Sequence, residues 1–84
     1  MKLKRLLSKV EEFLSAKERK RRADKSDMRD VLEKLKKKER KLKVQVAESH
    51  DDEERARLQS RLKVVHAQRR KGIAALKALD DKEG

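Results

Sequence analysis

Residues 28–46 read MRDVLEKLKKKERKLKVQV. Met28, Leu32, Leu35, Leu42 and Val46 recur at spacings of four and three, with Glu39 standing where one more apolar residue belongs. This is a heptad seam with one charged intruder. Residues 58–76, LQSRLKVVHAQRRKGIAAL, carry a second seam through Leu58, Leu62, Val65, Arg69, Gly72 and Leu76, which continues to Leu79. When the two stretches are folded back on each other about residue 52, Val46 meets Leu58, Leu42 meets Leu62 and Glu39 meets Val65. Leu35 then meets Arg69, Leu32 meets Gly72 and Met28 meets Leu76. All six layers fall in one register without a skip. Two unrelated patterns have no reason to agree in this way, so the sequence predicts an antiparallel coiled-coil helical hairpin of helices 27–48 and 52–79. Glu39 and Arg69 lie in adjacent layers on opposite helices, close enough for a diagonal ion pair that penalises wrong registers. The alternative for Arg69 is to extend along its apolar stem to water.

The composition demands such a shape. Of 84 residues, 51% are charged and 35% hydrophobic, and Phe13 is the one aromatic side chain. A narrow buried seam between long helices is the economical way for so polar a chain to order itself. The sequence has no Pro, and its two Gly are at 72 and 84, which favours uninterrupted helices and argues against a turn-rich all-β fold. Gly72 reads as a close approach opposite Leu32. Val31 and Ile73 flank the seam near the open end of the hairpin and widen its apolar surface.

A further amphipathic helix is predicted over 2–22. Its stripe is Leu3, Leu6, Leu7, Val10, Phe13 and Leu14, and it stops at Ala16. The fold expected is therefore all-α: one small domain in which this helix precedes the hairpin. A two-helix hairpin is marginal alone. The stripe is thus expected to close onto the hairpin, or to serve as a partner-helix surface for a second copy of the chain or for another helical protein. Between these helices lies KERKRRADKSD, residues 17–27. Arg19, Lys20, Arg21 and Arg22 fall where a helix would end, and Asp24, Ser26 and Asp27 where the next would begin. That order suits the helix dipole at a joint, with Ser26 as cap. No helix breaker occurs there, so a continuous rod is the competing reading. At 49–54, SHDDEE reads as a turn and a helix start, with Ser49 and Asp52 placed as a weak capping box.

Several function classes drop out. The two histidines, His50 and His66, lie far apart in the hairpin, and neither has a Ser or Asp at triad spacing. There is no Gly-rich phosphate loop. No catalytic residue, cofactor or small-molecule substrate is expected. His50 to Glu54 reads as acids at a helix start rather than as a metal site. The lack of Cys removes disulfides and thiolate metal centres. No apolar run approaches a membrane span, and Glu11 and Glu12 weaken the attraction of the first helix to anionic lipid, so no membrane role is expected. Lys9, Glu11 and Glu12 also interrupt any secretory core at the N-terminus, and a cytoplasmic location is the expectation.

The net charge is +11 and uneven. Residues 1–48 hold 18 basic and 9 acidic side chains (+9), and residues 49–84 hold 9 and 7 (+2). The hairpin register places Lys34, Lys36, Lys37, Lys38, Arg40 and Lys41 level with Arg69, Arg70 and Lys71, as a basic collar around the middle of the rod. Such a collar suits RNA or DNA phosphates, contacted without sequence preference. Its plain alternative is a solvated surface laced by the pairs Asp30–Lys34, Glu33–Lys37 and Glu53–Arg57. Missing aromatics argue against stacking on single-stranded bases. Two functions follow. The leading one is a non-enzymatic adaptor or regulator acting through helix contacts, with itself or another helical protein as partner. The second is a nucleic-acid- or ribosome-associated factor using the collar.

Overall fold

The structure, a computed structural model, describes residues 2–83. It contains α1 (Leu3–Ser15), α2 (Glu18–Ala23), α3 (Lys25–Glu48) and α4 (Asp52–Glu83), with no strand among the described residues. Its principal extents are 48 × 21 × 17 Å. The α3–α4 hairpin forms the long axis, and α1 lies along it against both helices.

The hairpin register follows the heptads. A methyl group built on Gly72 would stand 2.7 Å from Leu32 Cδ2, so these two residues face each other at van der Waals closeness. Glu39 reaches across to Arg69 at 2.7 Å, and Lys25 to Asp80 at 2.6 Å near the open end. Residue numbers that rise along α3 are therefore met by numbers that fall along α4, which fixes the antiparallel sense.

The core takes Leu6, Val10 and Phe13 from α1, five residues of α3 from Met28 to Leu42, and Val65, Leu76 and Leu79 from α4. Leu3, Leu7 and Leu14 pack at its edge. The partner-helix stripe is thus used inside the chain, and α1 supplies the third helix that a thin two-helix seam needs. Val31 joins the core on the side of α3 that receives α1, whereas Ile73 remains 44% exposed. The difference from the expected pair of flanking residues is one of face: Ile73 sits on the side of the hairpin that no helix covers.

The first helix is shorter than 2–22. It ends at Ser15, and Ala16 and Lys17 are both extended, with ψ of 154° and 155°. Arg21 closes this end. Its Nε donates to Phe13 O at 3.0 Å, which also accepts from Ala16 N–H at 3.3 Å, and its Nη2 donates to Leu14 O, so the carbonyls of the last turn of α1 gain a side-chain donor. The joint therefore stands at the start of KERKRRADKSD, not across it. After α2, the N–H of Asp24 donates to Lys20 O at 3.0 Å, and Asp24 O accepts from Met28 N–H at 2.9 Å. Helical bonding thus passes through Asp24 almost unbroken. Ser26 is inside α3 and caps nothing.

The hairpin turn is Ser49–His50–Asp51. Asp51, not Ser49, caps α4: its Oδ1 accepts from Glu53 N–H at 2.9 Å and from Glu54 N–H at 3.4 Å. A cap must directly precede the first helical turn, and α4 begins at Asp52, which leaves Ser49 too far back. Arg55 Nη2 donates to Ser49 O at 2.8 Å and ties the end of α3 to the start of α4.

Candidate functional site

The basic stretch LKKKERKLK, residues 35–43, owes its character to one acid that is turned away. Glu39 lies on the buried stripe of α3 with Leu35 and Leu42 and is 3% exposed. Its Oε2 accepts from Arg69 Nε at 2.7 Å, and its Oε1 stands 2.6 Å from His66 Nδ1. Burial raises the Glu39 pKa, but the hydrogen bonds from His66 and Arg69 outweigh it, and the carboxyl is held below its ordinary value. The diagonal Glu39–Arg69 pair was legible in the heptads. His66 reads as a plain helix-flank histidine in sequence. The available signal was its place three residues before Arg69, on the same face of α4.

Other acids are also engaged. Asp80 meets Lys25 at 2.6 Å and Arg29 at 3.4 Å, and Glu18 meets Arg22 and Lys82, each at 3.3 Å. The pKa values of Asp80 and Glu18 are lowered, in each case chiefly by the hydrogen bond from a lysine, Lys25 and Lys82 respectively. By contrast, Asp30–Lys34, Glu33–Lys37 and Glu53–Arg57 are not within ion-pair distance of one another. The collar lysines are not laced to these neighbouring acids, and all but the half-buried Lys38 are exposed.

The collar is not one surface. At about 100° per residue, Lys34, Lys38 and Lys41 fall on the flank of α3 that faces α1. There Lys38 and Lys41 border one hollow with Leu3, Leu42, Gln45 and Arg61. Lys36 and Arg40 fall on the other flank, beside the outer edge of α4, and Lys37 points straight out. Arg70 shares the outer edge of α4, whereas Lys71 turns toward α1. Arg69 is partly buried and is engaged by Glu39. The sequence grouping of nine cations thus divides between two faces. Lys43, which it omitted, continues the flank of Lys36 and Arg40.

Among the described residues, no three His, Cys, Asp or Glu side chains converge as a metal-holding group, and no helix is long and apolar enough to cross a membrane. The chain matches no protein family, no curated protein and no solved structure.

Proposed function

We propose that this chain is a non-enzymatic helical module that binds the phosphate backbone of nucleic acid through the exterior of α3. One observation carries the reading. Between Glu33 and Glu48 the single acidic residue is Glu39, and it is buried and bound to Arg69 and His66. The outer surface of that stretch therefore carries Lys34, Lys36, Lys37, Lys38, Arg40, Lys41 and Lys43 with no acid among them. Unopposed cations at such density draw a polyanion and release its counterions, so binding weakens steeply as salt rises. The apolar stripe of α1, the main alternative contact surface, is spent on the chain's own core.

The test is fluorescence anisotropy with labelled duplexes over a salt series. Reversing Lys36, Lys37, Lys38 and Arg40 to Glu is expected to abolish binding while circular dichroism stays helical. Binding that survives this reversal overturns the proposal.

A helix-contact role is the second reading, favoured by an open groove where Leu3 and Leu7 of α1 meet Val64 of α4, which is 50% exposed. A self-associating chain would lose mass in light scattering on Val64→Asp. An unchanged mass removes this reading for a homodimer.

A further inference from the structure

Building on the nucleic-acid reading, we infer that the contact face is the uncovered α3–α4 side of the hairpin, and that its ligand is a duplex gripped by two parallel rows of basic side chains.

On α3 the row is Lys36, Arg40 and Lys43, and on α4 it is Arg70, His66 and Lys63. The numbers rise by four and three along one helix as they fall by four and three along the other. Contacts on this same side set the level. Glu39 touches His66, and Lys25 touches Asp80. Carried along the helices, that register puts Lys36 beside Arg70, Arg40 beside His66 and Lys43 beside Lys63. All six side chains are exposed, and the five permanent cations form no ion pair among the described residues. The acid beneath them, Glu39, is already paired with Arg69 and hydrogen-bonded to His66.

Each row runs about 10 Å along its helix at 1.5 Å per residue, and packed helices place the rows about 8–10 Å apart. Two rows can take phosphates from both edges of one groove at once, whereas a single strand presents one row of phosphates. Single-strand binders add stacking on aromatic side chains. Here Phe13 is the only aromatic residue and is 3% exposed, so no platform for bases exists. The duplex also has the higher charge density, which strengthens counterion release. The chemistry is shared by RNA and DNA duplexes, so both belong in the test.

The opposite side of α3 is the natural comparison. There Lys34, Lys38 and Lys41 share a flank with Arg5 and Lys9 of α1 and with Lys2 just before it, but Lys9 and Lys38 are only partly exposed. Farther along that groove Glu12, Asp24 and Asp27 share the lining with Lys9.

The experiment measures binding of the full chain to an RNA duplex, a DNA duplex and a single strand of matched length. Two triple variants of equal charge change are compared: Lys36→Glu, Arg40→Glu, Lys63→Glu on the proposed face, and Arg5→Glu, Lys34→Glu, Lys41→Glu on the other. Five phosphate contacts give a log–log salt slope of about −4.5, or a roughly 500-fold loss from 50 to 200 mM salt. The first triple is expected to weaken duplex binding at least 30-fold and to flatten the slope by about 2.7. The second is expected to change affinity less than threefold. The corresponding Lys→Gln and Arg→Gln triples repeat the comparison if a Glu triple loses helicity. Equal losses from both triples overturn the face assignment, and tighter binding to the single strand overturns the duplex assignment. A parent chain that binds no nucleic acid at all refutes the underlying function instead.

Discussion

Glu39 of α3 and Arg69 of α4 form an ion pair at 2.7 Å whose carboxylate is buried and whose guanidinium keeps a path to water. The asymmetry makes a prediction. Removing Arg69 strands a buried carboxylate with His66 alone, a kind of loss that costs about 3–5 kcal/mol. Removing Glu39 leaves an arginine that can extend along its stem into solvent. Urea denaturation should therefore find Arg69→Met the more damaging change by about 3–5 kcal/mol, with Glu39→Met close to neutral.

The same pair predicts acid sensitivity. The Glu39 pKa is lowered in the folded chain from an ordinary 4.5: burial pushes it up, but hydrogen bonds from His66 and Arg69 pull it further down. A depressed folded pKa stabilises the fold at pH values above the unfolded value. That contribution disappears as pH falls from 4.5 through the lowered folded value. Thermal melts should thus drop in midpoint below about pH 4.5, and Glu39→Gln should flatten the drop. A variant with the parent's acid profile would show that Glu39 does not carry it.

Arg21 links α2 to the carbonyls of Phe13 and Leu14 in the last turn of α1. Hydrogen bonds from a charged donor contribute about 1.5–3 kcal/mol. Arg21→Met is expected to cost about that much and to speed hydrogen exchange in the last turn of α1. Arg19→Met, which alters the neighbouring helix without touching these carbonyls, should leave both unchanged.

Gly72 faces Leu32 across the hairpin. An alanine Cβ would lie 2.7 Å from the Leu32 Cδ2 methyl, the movable end of that side chain. The gain in helix propensity, about 1 kcal/mol, offsets the small shift required. Gly72→Ala should be within about 1 kcal/mol of the parent, whereas Gly72→Leu should lose about 2–3 kcal/mol by overpacking. Chemical denaturation of the two variants checks the difference.

The hairpin was legible in the heptads alone. Each layer needs a partner that fits it, so the 4–3 spacing of apolar residues, the two intruding charges and Gly72 opposite Leu32 encode register as well as helicity. The sequence also contained the ingredients of the basic surface, because counting charges needs no coordinates. Tertiary structure decided the rest. Where α1 ends was hidden because Ala16 and Lys17 are not helix breakers; the closing bonds come from Arg21, several residues away. Whether the α1 stripe meets its own hairpin or another chain depends on a groove formed by both α3 and α4, which no single segment displays. The division of the collar into two faces arises the same way. Helical spacing gives each lysine an angle, but only the docking of α1 on one side of α3 makes one of those angles a covered flank and the other an open one.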